Sequence, residues 1–173
     1  QKDGLTVHDV GETEAKRTTR PPFTTSTLQQ AASSRLGFSP SRTMQVAQKL
    51  YEQGHITYMR TDSTNLGAPA RAAILAVVEK KYGKEYAESR TFAAKSKNAQ
   101  EAHEAIRPAG EDIRPPEAVR AELDSDERSL YELIWIRTIA SPMADARALR
   151  GTLKFGVLTR AGATAGLRCS VRT

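Results

Sequence analysis

Tyr58 and Arg60 stand two residues apart in GHITYMRTDSTN, ahead of the small polar run Thr61, Asp62, Ser63 and Thr64. In an extended segment residues i and i+2 share a face, so the phenol and the guanidinium point the same way. A free phenol, with a pKa near ~10, attacks poorly at neutral pH. A neighbouring guanidinium favours the phenolate by Coulomb attraction, and its planar fork can hold the phosphate under attack. Tyrosine beside arginine is therefore what nucleophilic attack on a phosphodiester requires. The plainer reading is a tyrosine packed on a sheet with an arginine running past it. Such pairs are common, and on the pair alone the plainer reading carries more weight.

A second constellation is NAQEAHEAIRP, residues 98–108. Asn98 as cap and Glu101 three residues later predict a helix start, and Pro108 predicts its end. On that helix His103 and Arg107 are i,i+4 neighbours, as are Gln100 and Glu104. Histidine and arginine on one face could grip a phosphate; the plainer reading is a solvated surface helix. Asp124-Ser125-Asp126 has the Asp-x-Asp form of a magnesium site, but it immediately precedes an apolar helix and reads better as a cap. Cys169 is the single cysteine, so neither an intrachain disulfide nor a cysteine-based zinc site can form. No Walker loop, His-Glu-x-x-His or Gly-x-Ser-x-Gly run occurs.

The elements around these residues are legible from caps and periodicity. Leu5 and Val7 suggest a strand at the start, and the basic run Thr13–Pro22 suggests a linker. Ser26 is expected to cap a helix carrying Leu28, Ala31, Ala32 and Leu36, closed by Gly37. Ser39-Pro40 opens another, carrying Met44, Ala47, Leu50 and Tyr51, and Gly54 ends it. Together they outline a helix-turn-helix, a weak signal for DNA reading because many α-hairpins look alike. HITYMR follows as a short strand or extended segment. Further helices are predicted from Pro69 to about Tyr82, from Pro115-Pro116 to Leu123, and from Asp124 or Ser125 to Ser141-Pro142. Leu153, Phe155 and Val157, then Leu167, Cys169 and Val171, alternate at period two around a Gly-rich turn and predict a hairpin. The 173 residues suffice for one core, and 39% hydrophobic with 27% charged residues exclude a disordered chain. A formal charge of +6 favours a polyanionic partner, nucleic acid above all. The longest apolar run is too short to span a bilayer, and no secretory signal is seen.

PPFTTSTLQQAA, ITYMRTDSTNL and NAQEAHEAIRP, in that order and spacing, resemble the bacterial type IA DNA topoisomerases, and LYELIWIRTIASPMADA adds to the likeness. The resemblance is strong over residues 20–146 and looser at both ends. It implies a mainly α, partly β (α+β) fold: a helical, tyrosine-bearing gate domain, 20–146, inserted between strands of a β-rich arch domain, 1–19 and 147–173. By resemblance Tyr58 is the nucleophile forming a 5′-phosphotyrosine, Arg60 contacts the scissile phosphate, and His103 supports cleavage and religation. Thr57, Asp62 and Arg107 fall at matching DNA-binding positions. Strand passage through the break, without ATP, would relax negative supercoils. The implied partner is a single-stranded segment of negatively supercoiled DNA, and the implied setting is a monomer in the bacterial cytoplasm at the nucleoid, with no membrane.

Where the sequence departs from the family it lacks the Asp-x-Asp-x-x-Gly run and the upstream glutamate and lysine. The resemblance therefore places Mg2+ in the full-length enzyme, on a domain outside this chain, with no metal held by these residues. The fragment alone is expected not to relax DNA. Two alternatives stand beside this reading: a non-catalytic helix-turn-helix-like DNA-binding module, and a structural gate piece.

Overall fold

The computed structural model of the chain describes residues 6–88, 90, 92, 103–158 and 164–172. Two compact units result, one from residues 1–18 with 145–173 and the other from 19–144. The first is a three-stranded antiparallel sheet in the order β1 (Thr6–Arg17), β2 (Ala146–Leu158), β3 (Thr164–Arg172). Its register runs from Thr6↔Gly156 to Arg17↔Ala146, with a bulge between Val7 and Asp9. β2 and β3 form the expected hairpin, Leu158 opposite Thr164.

Two strand expectations need correction. The predicted linker from Thr13 is strand as far as Arg17, and β2 begins seven residues before Leu153. The reason is long-range pairing. Thr13 to Arg17 lie opposite Arg150 to Ala146, so polar side chains without a local strand signal are held by ladder bonds to a distant segment. Leu5 lies outside the described residues.

The second unit is helical: α1 (Thr25–Leu36), α2 (Pro40–Glu52), α3 (Ala68–Tyr82), the one-turn 3-10 helix Lys84–Tyr86, α4 (Pro116–Val119) and α5 (Ser125–Ala140). Thr24, rather than Ser26, caps α1: its hydroxyl accepts from Thr27 N while Thr27 reciprocates to Thr24 N. Gly37 closes α1 at φ 68°, a left-handed geometry that a Cβ would strain, and Ser39 with Pro40 starts α2. Asp124 caps α5 in a capping box with Glu127, which removes it from metal duty. α4 is a single turn, shorter than predicted, and Arg114 ahead of it pairs with Glu122 behind it.

One apolar cluster joins these helices, with Phe23, Leu28, Leu50, Ile56, Met59, Ile74, Ile106, Leu130, Ile134 and Ile139 all effectively sealed from water. No helix among the described residues is long and apolar enough to cross a membrane.

Candidate active site

Residues 103–108 overturn the helix predicted there. Asn98, Gln100 and Glu101 lie outside the described residues, but His103 to Arg107 are extended. Their donors go to tertiary partners instead of carbonyls four residues back: Ala105 N donates to Asn65 O (2.8 Å) and Ile106 N to Phe23 O (2.8 Å). Ile106 bridges Phe23, and Pro108 bridges Ile56. Ala105 and Ile106 are both completely buried, which a helix with a single apolar stripe would not require. Proline at 108 already disfavours the helical basin for Arg107, and burial decides the rest. His103 and Arg107 are therefore not helical neighbours.

This extended strip is what positions the tyrosine segment. Thr57 N donates to Arg107 O (2.9 Å), Thr57 Oγ1 donates to Ala105 O (2.8 Å), and Arg107 N donates back to Thr57 Oγ1 (3.0 Å). On the other side, the first residue of α1 takes hold. Thr25 Oγ1 donates to Met59 O (2.7 Å) and accepts from Thr61 N (2.9 Å), while Thr25 N donates to Thr61 O (2.9 Å). Residues 57–61 are thus tied at both ends by backbone and hydroxyl bonds.

Between those ties the side chains alternate. Met59 is buried at 1% exposure, a pin into the core, while Tyr58 (45%) and Arg60 face solvent. Tyr58 stacks edge-on against Tyr51 from the last turn of α2, centroids 5.2 Å apart. Among the described residues no carboxylate pairs with Arg60, so its five donors are open to an incoming anion. Asp62 is likewise exposed and engaged in no ion pair among them. His103 is exposed at the start of the extended strip.

Arg107 has an internal occupation. Its Nε and Nη2 donate to Glu104 Oε2 (3.2 and 2.8 Å) and its Nη1 to the carbonyls of Pro108 and Gly110 (2.8 and 2.9 Å), leaving the side chain 11% exposed. Glu104 uses its other oxygen, Oε1, to accept from Gly67 N at the start of α3 (2.8 Å). A Cβ at position 67 would sit 2.6 Å from that oxygen, so glycine is what allows the approach. Thr25 was not singled out by sequence reasoning, and Glu104 was paired there with Gln100 rather than with Arg107. The Thr-Thr-Ser run reads as a cap, and nothing local says that its second threonine reaches 36 residues ahead.

Of the basic residues flanking this region, two are neutralised within the protein. Arg42 pairs with Asp126 (2.7 Å) and lies over Phe38, and Lys49 stands 3.6 Å from Asp124. Among the described residues, no group of three or more His, Cys, Asp or Glu could hold a metal ion.

The helical unit, inserted between two strands of an antiparallel sheet, thus carries an exposed tyrosine and an arginine without an ion pair among the described residues on one doubly tied segment. The sequence profile of the DNA topoisomerase family matches residues 1–169, and the chain belongs to that family. It is similar to DNA topoisomerase 1 of Mycobacterium leprae, 54% identical over 160 residues, which is 91% of this chain and 17% of that protein. DNA topoisomerase 1 of Streptomyces coelicolor is 53% identical over 152 residues, 87% of this chain and 16% of that protein. The full-length topoisomerase I structure from Thermotoga maritima superposes with a TM-score of 0.76 at 37% identity, over 98% of this chain and 28% of that one. The chain thus spans less than a fifth of the length of the two bacterial relatives.

Proposed function

We propose that this chain is the tyrosine-bearing part of a type IA DNA topoisomerase, cutting and rejoining one DNA strand through Tyr58. The observation that carries the reading is the exposure of Tyr58 and Arg60 on either side of buried Met59, with no carboxylate of the described residues paired to Arg60. An arginine left unpaired beside an exposed phenol is poised for an anionic substrate.

In the reaction the Tyr58 oxygen attacks phosphorus. The bond from phosphorus to the 3′ oxygen breaks, and a 5′-phosphotyrosine and a free 3′-hydroxyl result. The phenol proton is transferred, on balance, to the leaving oxygen. Arg60 spreads its charge over the non-bridging oxygens as negative charge builds there. His103 assists cleavage and religation, and Asp62 lies beside the strand. Thr57 and Arg107 serve DNA by holding the segment that carries the nucleophile. The diester bond is exchanged rather than hydrolysed, so religation is the reverse attack and needs no ATP. Repeated around a passing strand, the cycle relaxes negatively supercoiled DNA in the bacterial cytoplasm, with the protein acting as a monomer. Magnesium, when bound elsewhere in the full-length enzyme, supplies charge stabilisation.

The test is covalent capture. In a full-length enzyme bearing these residues, Tyr58→Phe is expected to abolish denaturant-stable protein–DNA adducts while oligonucleotide affinity stays within about fivefold, since one exposed hydroxyl contributes only ~0.5–1 kcal/mol to binding. An undiminished adduct would place the nucleophile on another residue.

A further inference from the structure

A second basic feature lies on α1, apart from the tyrosine segment. Thr27, Gln30, Ala31, Ser34 and Arg35 recur at helical spacing and form one wall of a cleft of about 310 Å³. Arg20, the prolines after it, Thr64 and Arg137 of α5 complete its lining. Three arginines therefore share one cleft that no carboxylate among the described residues lines. Among the described residues no ion pair engages any of the three.

Arg137 is fixed in place: its guanidinium lies 4.2 Å over the Phe23 ring, and Nη1 donates to Pro21 O (3.4 Å). Burial, then the charges of Arg20 and Arg35, push the Arg137 pKa below its usual range. A protein that gathers two further guanidinium groups around a half-buried arginine, in a cleft also lined by hydroxyl and amide side chains, is arranged for an external anion. Elsewhere in the same unit arginines are neutralised: Arg42 by Asp126, Arg107 by Glu104, Arg114 by Glu122.

We infer that this cleft is a second phosphate site, taking a backbone phosphodiester of a DNA strand away from the one under attack at Tyr58. The inference rests on the DNA-cleaving reading above. A free phosphate meets exposed Arg20 and Arg35 in screened water and binds weakly. A phosphodiester on a strand already held at Arg60 arrives at high effective concentration.

The experiment compares the chain with Arg20→Gln/Arg35→Gln, two exposed positions, and with Arg60→Gln, by fluorescence anisotropy of a labelled 12-nucleotide single strand across a salt series. Circular dichroism checks that each variant melts as the parent does. Loss of one phosphate contact from the cleft is expected to weaken low-salt affinity several-fold and to flatten the log affinity–log salt slope by about 0.7. Arg60→Gln should flatten it independently. Binding by the parent that weakens in Arg60→Gln but keeps its slope in Arg20→Gln/Arg35→Gln would overturn this site alone. No binding by the parent at all would overturn it together with the DNA-cleaving reading. Inorganic phosphate, titrated while the Arg137 Nε–Hε resonance is followed, separates the ligand sources. A shift as large as that from the oligonucleotide at equal phosphate concentration would overturn the DNA assignment.

Discussion

Arg60 and Arg107 are the same residue type in neighbouring segments, and their surroundings give them opposite work. Arg107 is enclosed by Glu104 and two carbonyls, whereas Arg60 faces water with no carboxylate on it among the described residues. A phosphate reaching Arg60 need not displace an internal partner. Arg60→Lys retains the charge but loses the bidentate fork, so in a full-length enzyme adduct formation and relaxation should fall at least tenfold, an effect of about 1.4 kcal/mol or more. Relaxation at the parental rate in that variant would show that charge alone suffices. The types at positions 58 and 60 and their shared outward side were legible from the sequence, because alternation needs only the backbone. The internal duty of Arg107 was not: helical spacing paired it with His103, and only the tertiary fold shows Glu104 as its partner.

The elements do the aiming. α1 places Thr25 where its hydroxyl bonds the backbone on both sides of Arg60, to Met59 O and from Thr61 N. Thr25→Val keeps the shape and removes that hydroxyl, leaving two backbone groups without their partner at a cost of ~1–3 kcal/mol. A nucleophile displaced by a fraction of an ångström reacts more slowly, so cleavage in a full-length enzyme should drop roughly tenfold or more while oligonucleotide affinity changes little. Thr25→Ser should restore the rate, and failure of the serine to do so would assign the loss to packing instead.

α5 carries a different kind of expectation. Burial pushes the Tyr131 pKa up to about 12, and its hydroxyl donates to Arg114 O (2.7 Å). A folded-state pKa above the unfolded value of ~10 gives stability that is full below pH ~10 and lost as pH rises toward the folded value. Phenolate absorbance should therefore reveal a late-titrating tyrosine that ionises together with loss of helical circular dichroism. Ionisation of every tyrosine by pH ~10.5 with the helices intact would contradict this. The helices themselves were readable from local signals, Gly37, Ser39-Pro40 and Asp124 among them. The extended strip at 103–107 was not, nor Ile113, a buried β-branched residue held at φ 39°. Both are imposed by the packing around them, which overrides local preference.

At the scale of the whole molecule, the chain leaves the sheet at Arg17 and returns to it at Ala146, the two residues paired across β1 and β2. The helical unit is thus an insertion in a hairpin-like ladder, and it carries Tyr58 and Arg60, proposed above to cut DNA. Relaxation asks for more than cutting. The 3′ end must also be gripped, the two ends parted, and another strand admitted and released before religation. This chain corresponds to 28% of the Thermotoga maritima protein that it resembles in structure, and among its described residues no group of three or more His, Cys, Asp or Glu could hold a metal ion. The 173-residue chain alone should accordingly leave plasmid linking number unchanged with or without magnesium. It should still bind a single strand electrostatically, with log affinity falling by about 0.7 per neutralised phosphate for each decade of salt. The slope should be shallow, because Arg42 and Lys49 are held by Asp126 and Asp124 while Arg35 and Arg60 remain available. Agarose gels of supercoiled plasmid, run beside the anisotropy series, check both halves. Magnesium-dependent relaxation by this chain would mean that one domain can hold both ends of a broken strand, and the division of labour argued here would be wrong.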